Sequence, residues 1–334
     1  MDNRLVYSGP CPCTMKRIPA SLYKWVLQLV QQTGHANTAR FELPAPHIYR
    51  GGQRALADTD AVPIPKIVWT YWNQAQPDAF VRQCIQSWHR QCPDHDIRLV
   101  HPGNLHQYVA DGDLPEQFAA LPPTKQSDWL RLYLVACYGG FWFDATTLMT
   151  DSLDWMHRQA RQGVEFTGFY LEGFTRDPQF PVVESWAFGA PAGAAFVVAW
   201  QQEFHQALIE EGTQAYITRL RNLPQWSALL QGIPDPHYLL IHLAAQQVLH
   251  RDNAFCLALN KAENTAFFYH KALRWKWYLL YPMLCLVQAP EKAAPLVKLR
   301  GGERRHFSEM LEYQGGPAPE SLWQRALGPQ VLKR

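Results

Sequence analysis

The chain has 334 residues and 31 Lys and Arg against 29 Asp and Glu, a net charge of +2. That balance lacks the basic stripe of a nucleic-acid binder, so no nucleic-acid partner is expected. With 47% apolar residues the chain can bury a large core, enough for one large α/β domain with appendages or for two ordinary domains.

Seven cysteines, an odd number, argue against a disulfide framework. Cys84, Cys137, Cys256 and Cys285 lie in apolar or helix-like stretches and read as buried free thiols, which fits a reducing, cytoplasmic compartment. Cys11 and Cys13 form a C-x-C pair without further metal ligands nearby, and an incidental role is expected. The first fifteen residues show no secretory pattern. The longest apolar run, Trp277 to Val287, is interrupted by Pro282 and is shorter than the about 20 residues a bilayer requires. Lys271, Arg274 and Lys276 beside it leave room for peripheral contact with an anionic membrane, at the inner face, although a buried helix–turn is the simpler reading.

In chain order, Ser21 to Gln32 predicts a helix, with Leu22, Val26, Leu29 and Val30 along one side. Residues 44–65, with several prolines and Gly51-Gly52, read as a linker. Ile67 to Tyr71 predicts a buried strand, Ala79 to Gln91 a helix and Asp96 to His101 a second strand, a β-α-β unit that favours a parallel sheet. Ser127 is a plausible N-cap for an apolar helix over Asp128 to Tyr138, which Gly139-Gly140 stops. Phe141 to Phe143 follows as a short buried strand ending in Asp144. Phe166 to Leu171 and Trp186 to Ala190 are further strands; Phe196 to Glu210 and Tyr238 to His250 are helices. The expected organisation is an N-terminal extension over 1–62, a main domain over 63–260 and a helical, aromatic-basic extension over 261–334. There Trp275, Trp277 and Trp323 suit either a glycan contact or a cap on the domain.

Chemistry gathers at a few of these positions. Ligands of open α/β sheets sit beyond the carboxyl ends of the strands, and Asp144 lies at such an end. Asp128 and Arg131, three apart, share a helix face. Few charges interrupt that helix, so those few should face a cavity. The guanidinium fork suits a diphosphate and the carboxylate suits ribose hydroxyls. Trp69 offers either a stacking face or plain core packing.

The run Ser127-Asp128-Trp129-Leu130-Arg131, followed by Tyr138-Gly139-Gly140-Phe141-Trp142-Phe143-Asp144-Ala145-Thr146, resembles the signature of capsular polysaccharide synthesis glycosyltransferases. These are similar to the wider Asp-X-Asp group that includes yeast outer-chain mannosyltransferases and the glucosylating domains of clostridial toxins. The opening Ile64-Pro65-Lys66-Ile67-Val68-Trp69 matches the same group, and Tyr238 to His242 fits more loosely. The resemblance spans roughly 63–260.

The resemblance implies a GT-A-like, Rossmann-type α/β fold, with a mostly parallel sheet flanked by helices and helical extensions at both ends. It implies a nucleotide-sugar donor, UDP- or GDP-linked, and a glycan or lipid-linked acceptor, with retention at the anomeric carbon. Donor-binding residues would be Trp69 on the base, Ser127, Asp128, Arg131, Gly140, Asp144 and Thr146. Asp144 and Arg131 would be catalytic. Apart from the resemblance, Glu184 precedes a short apolar strand and is the carboxylate to test first, against the plainer reading of an exposed loop acid, and His242 on an apolar helix reads as a core histidine. Mn²⁺ or Mg²⁺ at Asp144 is the cofactor expectation. Thr146 stands where the second carboxylate would be, however, and a neutral hydroxyl is a poorer ligand. Either Asp144 holds the ion with help from a residue such as Asp151, or the metal is weak or absent. The competing readings are a catalytically silent nucleotide-sugar or glycan-binding protein and a toxin-like protein glycosyltransferase.

Overall fold

A computed structural model describes residues 18–32, 40–51, 62–251 and 255–328. Cys11 and Cys13 lie outside the described residues, as does much of the expected linker.

The strands are β1 (His47–Arg50), β2 (Ile67–Tyr71), β3 (Asp96–Val100), β4 (Gly140–Phe143), β5 (Thr147–Met149), β6 (Phe166–Tyr170), β7 (Val183–Ala190), β8 (Cys256–Lys261) and β9 (Leu296–Lys298). The helices are α1 (Ala20–Gln32), α2 (Ala79–Gln91), α3 (Pro123–Tyr138), α4 (Asp154–Ala160), α5 (Ala195–His205), α6 (Thr213–Arg221), α7 (Trp226–Leu230), α8 (Leu240–Arg251), α9 (Phe268–Ala272), α10 (Trp277–Cys285), α11 (Gly301–Gln314) and α12 (Leu322–Leu327).

Seven strands form one sheet in the order β1-β8-β6-β7-β4-β2-β3, and β5 pairs with β9 in a separate ribbon. The pairs β2–β3, β2–β4 and β6–β8 are parallel, whereas β7 runs antiparallel to β4 and β6 and β1 antiparallel to β8. Five of the seven strands therefore point one way, the mostly parallel α/β sheet expected from the sequence. The β-α-β reading of 67–101 holds, with parallel partners from Ile67–Asp96 to Tyr71–Val100. All three expected segments feed the structure. Strand β1 comes from 1–62, β8 spans the boundary at 260, and β9 lies in the last segment.

Local chemistry explains the elements. Helix α2 starts at Asp78, whose carboxylate accepts from the Val81 amide at 2.9 Å. Its apolar side carries Phe80, Val81, Cys84 and Trp88, all buried. Helix α3 begins earlier than expected, at Pro123, where a ring that lacks an amide hydrogen is tolerated. Ser127 is thus the fifth helical residue rather than the N-cap, and Asp128 and Arg131 belong to the second and third turns. Every residue from Asp128 to Val135 is buried, so α3 has protein on nearly all sides. It ends at Gly139, with φ +66°. Gly140 opens β4 at φ +99°, where an added Cβ would lie 2.7 Å from the Ile67 carbonyl oxygen.

Other corrections are smaller. The expected linker contains β1. The helix expected over 196–210 relaxes into a π-type turn at Gln206–Glu210. Helix α8 starts at Leu240 instead of Tyr238. Cys84, Cys256 and Cys285 are buried as expected, but Cys137 is exposed. Among the described residues no helix is long and apolar enough to cross a membrane. The apolar run at 277–287 forms α10, with Pro282 inside it and a buried face against α1 and α12.

Candidate functional site

The carboxyl ends of the parallel strands place the site. Tyr71, the last residue of β2, donates its hydroxyl to Gln126 of α3, which fixes the first turns of α3 over the edge of the sheet. Strand β4 ends one residue before Asp144, whose amide donates to the Trp186 carbonyl of β7 at 2.8 Å. Beside it β7 is irregular. The pairing jumps from Gly168–Phe188 to Tyr170–Val183, so β7 bulges between those pairs. Successive side chains of a regular strand face opposite sides, and a bulge re-aims them. Here Ser185 reaches Arg131 on α3 and Glu184 reaches His242 on α8.

Arg131 is the hub. Its side chain is only 7% exposed, and its Nη2 lies 3.0 Å from Asp144 Oδ1 and 3.2 Å from Ser127 Oγ. Its Nη1 lies 3.1 Å from Asp128 Oδ1 and donates to Ser185 Oγ. The guanidinium carbon also stands 5.3 Å from the ring centre of Trp142. Asp144 is the most open of the charged members, its side chain 26% exposed. Its Oδ1 also accepts from Trp142 Nε1 at 3.2 Å, and its Oδ2 accepts from Lys298 Nζ at 2.8 Å. Lys125 lies 3.6 Å from Asp128 Oδ2 and donates to the Tyr238 carbonyl at 2.7 Å.

Three cations thus surround two carboxylates in a largely desolvated cluster, an excess of one positive charge. Burial alone would raise the Asp144 carboxyl, but Lys298 and Arg131 outweigh it and hold the group below the usual carboxylate range. Burial pulls the Lys125 ammonium below its ordinary value, against the raising effect of Asp128.

A third carboxylate, Glu184, is buried 3.5 Å from His242 Nε2, not on an exposed loop. Neither ring nitrogen of His242 has a hydrogen-bond partner, and neither does Arg131 Nε. A buried polar atom without a partner costs about 1–3 kcal/mol, so an acceptor for the Arg131 Nε–H, or a partner for the His242 ring, would recover that cost.

Ser127, Asp128, Arg131 and Asp144 therefore converge, with Glu184 and Thr146 adjoining through Ser185 and Lys298. Two expected donor residues do not join them. Trp69 is fully buried, and its Nε1 donates to the Gly139 carbonyl at 2.9 Å, toward the opposite end of β4. Arg98, Tyr108 and Tyr138 cover its ring, so it packs the core and offers no face to a base. Gly140 also lies at that opposite end. Four residues of strand separate it from Asp144, about 13 Å at the usual rise, and its role is close backbone packing on Ile67.

The Asp-X-Asp metal expectation meets a mismatched donor set. Both Asp144 oxygens already accept from Arg131, Trp142 and Lys298. Thr146 Oγ1 donates to the Leu299 carbonyl at 2.9 Å and stands 3.1 Å from Lys298 Nζ. Asp151 is exposed and accepts from the Ser152 amide instead. Among the described residues no three His, Cys, Asp or Glu side chains gather as a metal set. These residues do not fit a divalent ion.

Lys125 and Lys298 are the members that sequence reasoning missed. Nothing local marks Lys298, which comes from a segment 154 residues beyond Asp144. Trp323 is fully buried and its Nε1 donates to Gln83, while Trp277 stacks on His306, so these aromatics act as a cap. A depression of about 550 Å³ lies elsewhere, lined by Asp113, Trp129, Tyr133, Cys137, Gln202 and His205. Its lining holds no Arg or Lys, only His205 3.9 Å from Glu210, and the charged cluster carries the functional reading because charge, not volume, recognises a phosphate.

Fold and site together define a mixed α/β protein with a basic-acidic cluster at the carboxyl edge of its parallel strands. Residues 53–208 match the family described as capsular polysaccharide synthesis protein, which bears out the resemblance read from the sequence over that segment. The match contains Asp128, Arg131, Asp144 and Glu184 but not His242 or Lys298. The chain is similar, at 10% identity, to a solved PaToxG glycosyltransferase, over 88% of this chain and 95% of that one with a TM-score of 0.33. It is also similar, at 13% identity, to an active-site mutant of LgtC, over 74% and 95% with a TM-score of 0.35. A comparison with curated proteins returns no match.

Proposed function

We propose that this protein is a glycosyltransferase that moves a sugar from a nucleotide-sugar donor, UDP- or GDP-linked, to a glycan or lipid-linked acceptor in capsular or other surface polysaccharide synthesis. The observation that carries the reading is the convergence of Asp128, Arg131 and Asp144 at the sheet edge, within the family-matched segment. In the transfer, the bond from the anomeric carbon to the β-phosphate oxygen breaks and its electron pair stays on that oxygen. The acceptor hydroxyl oxygen bonds the anomeric carbon, and its proton passes to the departing phosphate. Arg131 and Lys298 would stabilise the charge developing there. Asp128 would accept from sugar or ribose hydroxyls. Glu184, 3.5 Å from His242, is the carboxylate we assign to stabilising the positive charge that develops at the anomeric carbon, and retention is the stereochemistry we favour. We place the protein in the cytoplasm, with the exposed Lys271, Arg274 and Lys276 as its contact with the inner membrane face.

The test is a panel of UDP- and GDP-sugars in thermal unfolding, followed by donor hydrolysis. A donor at a hundred times its Kd adds about 2.7 kcal/mol to the native state. At least one donor should raise the melting temperature, and Glu184→Gln should lose hydrolysis while keeping that shift. A flat response across the panel would refute the reading.

A further inference from the structure

The Lys298 ammonium bridges the first and third positions of Asp144-Ala145-Thr146, 2.8 Å from Asp144 Oδ2 and 3.1 Å from Thr146 Oγ1. Its backbone is anchored there. Strand β9 pairs antiparallel with β5 so that Lys298 faces Thr147, and Leu299 and Thr146 exchange two hydrogen bonds. The side chain is 11% exposed, and the ring of Trp186 stands 5.9 Å away.

Charge arithmetic gives the arrangement a meaning. A divalent ion between two carboxylates leaves a local sum of zero. One ammonium between a carboxylate and a neutral hydroxyl leaves the same sum. A divalent ion at Asp144 would also sit against two cations, Arg131 and Lys298. Resting on the donor-site reading above, we infer that Lys298 takes the place of the divalent ion: the protein binds the nucleoside diphosphate, and stabilises its departure, without metal. Thr146 is part of the device, because a second carboxylate there would unbalance it.

Calorimetry of UDP and GDP binding to the full chain tests this, first in EDTA and then with Mn²⁺. Affinity of the unmodified protein should be the same in both. A charge-assisted hydrogen bond lost from Lys298→Ala should weaken binding by roughly ten- to a hundredfold, and Mn²⁺ should not restore it. Lys298→Arg should recover most of the loss. The double variant Lys298→Ala/Thr146→Asp should regain binding only with Mn²⁺, and thermal unfolding of each variant reports folding separately. If the unmodified protein loses binding in EDTA and Mn²⁺ restores it, Lys298 is not the substitute, although the donor site stands. Lys298 is equally ruled out as the substitute if folded Lys298→Ala binds as tightly as the unmodified protein. If neither diphosphate binds under any condition, the donor-site reading itself fails, and this inference with it.

Discussion

Replacing Arg131 by alanine tests the cluster most directly. The guanidinium serves Asp128, Asp144, Ser127 and Ser185 at once from a nearly closed position. Without it Asp128 keeps only Lys125, at 3.6 Å, and Asp144 keeps only Lys298 among its cations. Breaking a buried ion pair from one side costs about 3–5 kcal/mol, because the remaining charge stays desolvated. Asp144 is about a quarter exposed, so water recovers part of that cost and the lower end, about 3 kcal/mol, is expected. That is a large share of the roughly 5–15 kcal/mol of a typical domain. Arg131→Lys keeps a charge but loses the fork, and should cost about 1–3 kcal/mol. Adding Asp144→Asn to Arg131→Ala removes one stranded carboxylate, and the pair should be less destabilising than the sum of its parts by about 1–2 kcal/mol. Urea unfolding followed by tryptophan fluorescence measures all of these. An Arg131→Ala variant within about 0.5 kcal/mol of the parent would mean that the cluster is solvated and loosely held, and the reasoning would be wrong.

Trp69→Ala should cost about 3–5 kcal/mol as a core truncation, whereas Trp69→Phe should leave donor affinity unchanged in calorimetry; a donor-specific loss in Trp69→Phe would return the indole to the binding site. Glu303 is buried, which alone would raise its carboxyl, but bonds from His270 and Arg300 hold it down at about 2. A carboxyl lowered on folding stabilises fully above its unfolded value of about 4.5 and loses that contribution as pH falls toward about 2, here about 3 kcal/mol. The stability gap between the parent and Glu303→Gln should therefore narrow as pH drops through that window, and a gap independent of pH would refute the pairing.

Local signals are legible in the sequence. Apolar periodicity and turn residues place α2, β2, β3, β4 and β6 within a residue or two, because each depends on neighbours a few positions away; α1 lies where expected but buries Tyr23 and Leu27 and leaves Leu22 and Leu29 exposed. The Asp128–Arg131 spacing and the position of Asp144 after a buried strand likewise follow from helix and strand geometry alone. The start of α3 is less legible, because Ser127 looks like a cap while Pro123 opens the helix earlier.

Tertiary packing decided the rest. Whether Trp69 faces a ligand or the core depends on Arg98, Tyr108 and Tyr138, which arrive from other elements. Whether Glu184 is a loop acid or a buried partner of His242 depends on a bulge in β7 and on the seat of α8. Most of all, Lys298 meets Asp144 because β9 pairs with β5. By itself the sequence marked α2, β2, β3, β4 and β6, through short-range preferences, but not β1 inside the expected linker, nor β5, β8 and β9. It did not determine which charge completes the cluster, since that contact exists only once segments 154 residues apart are packed together.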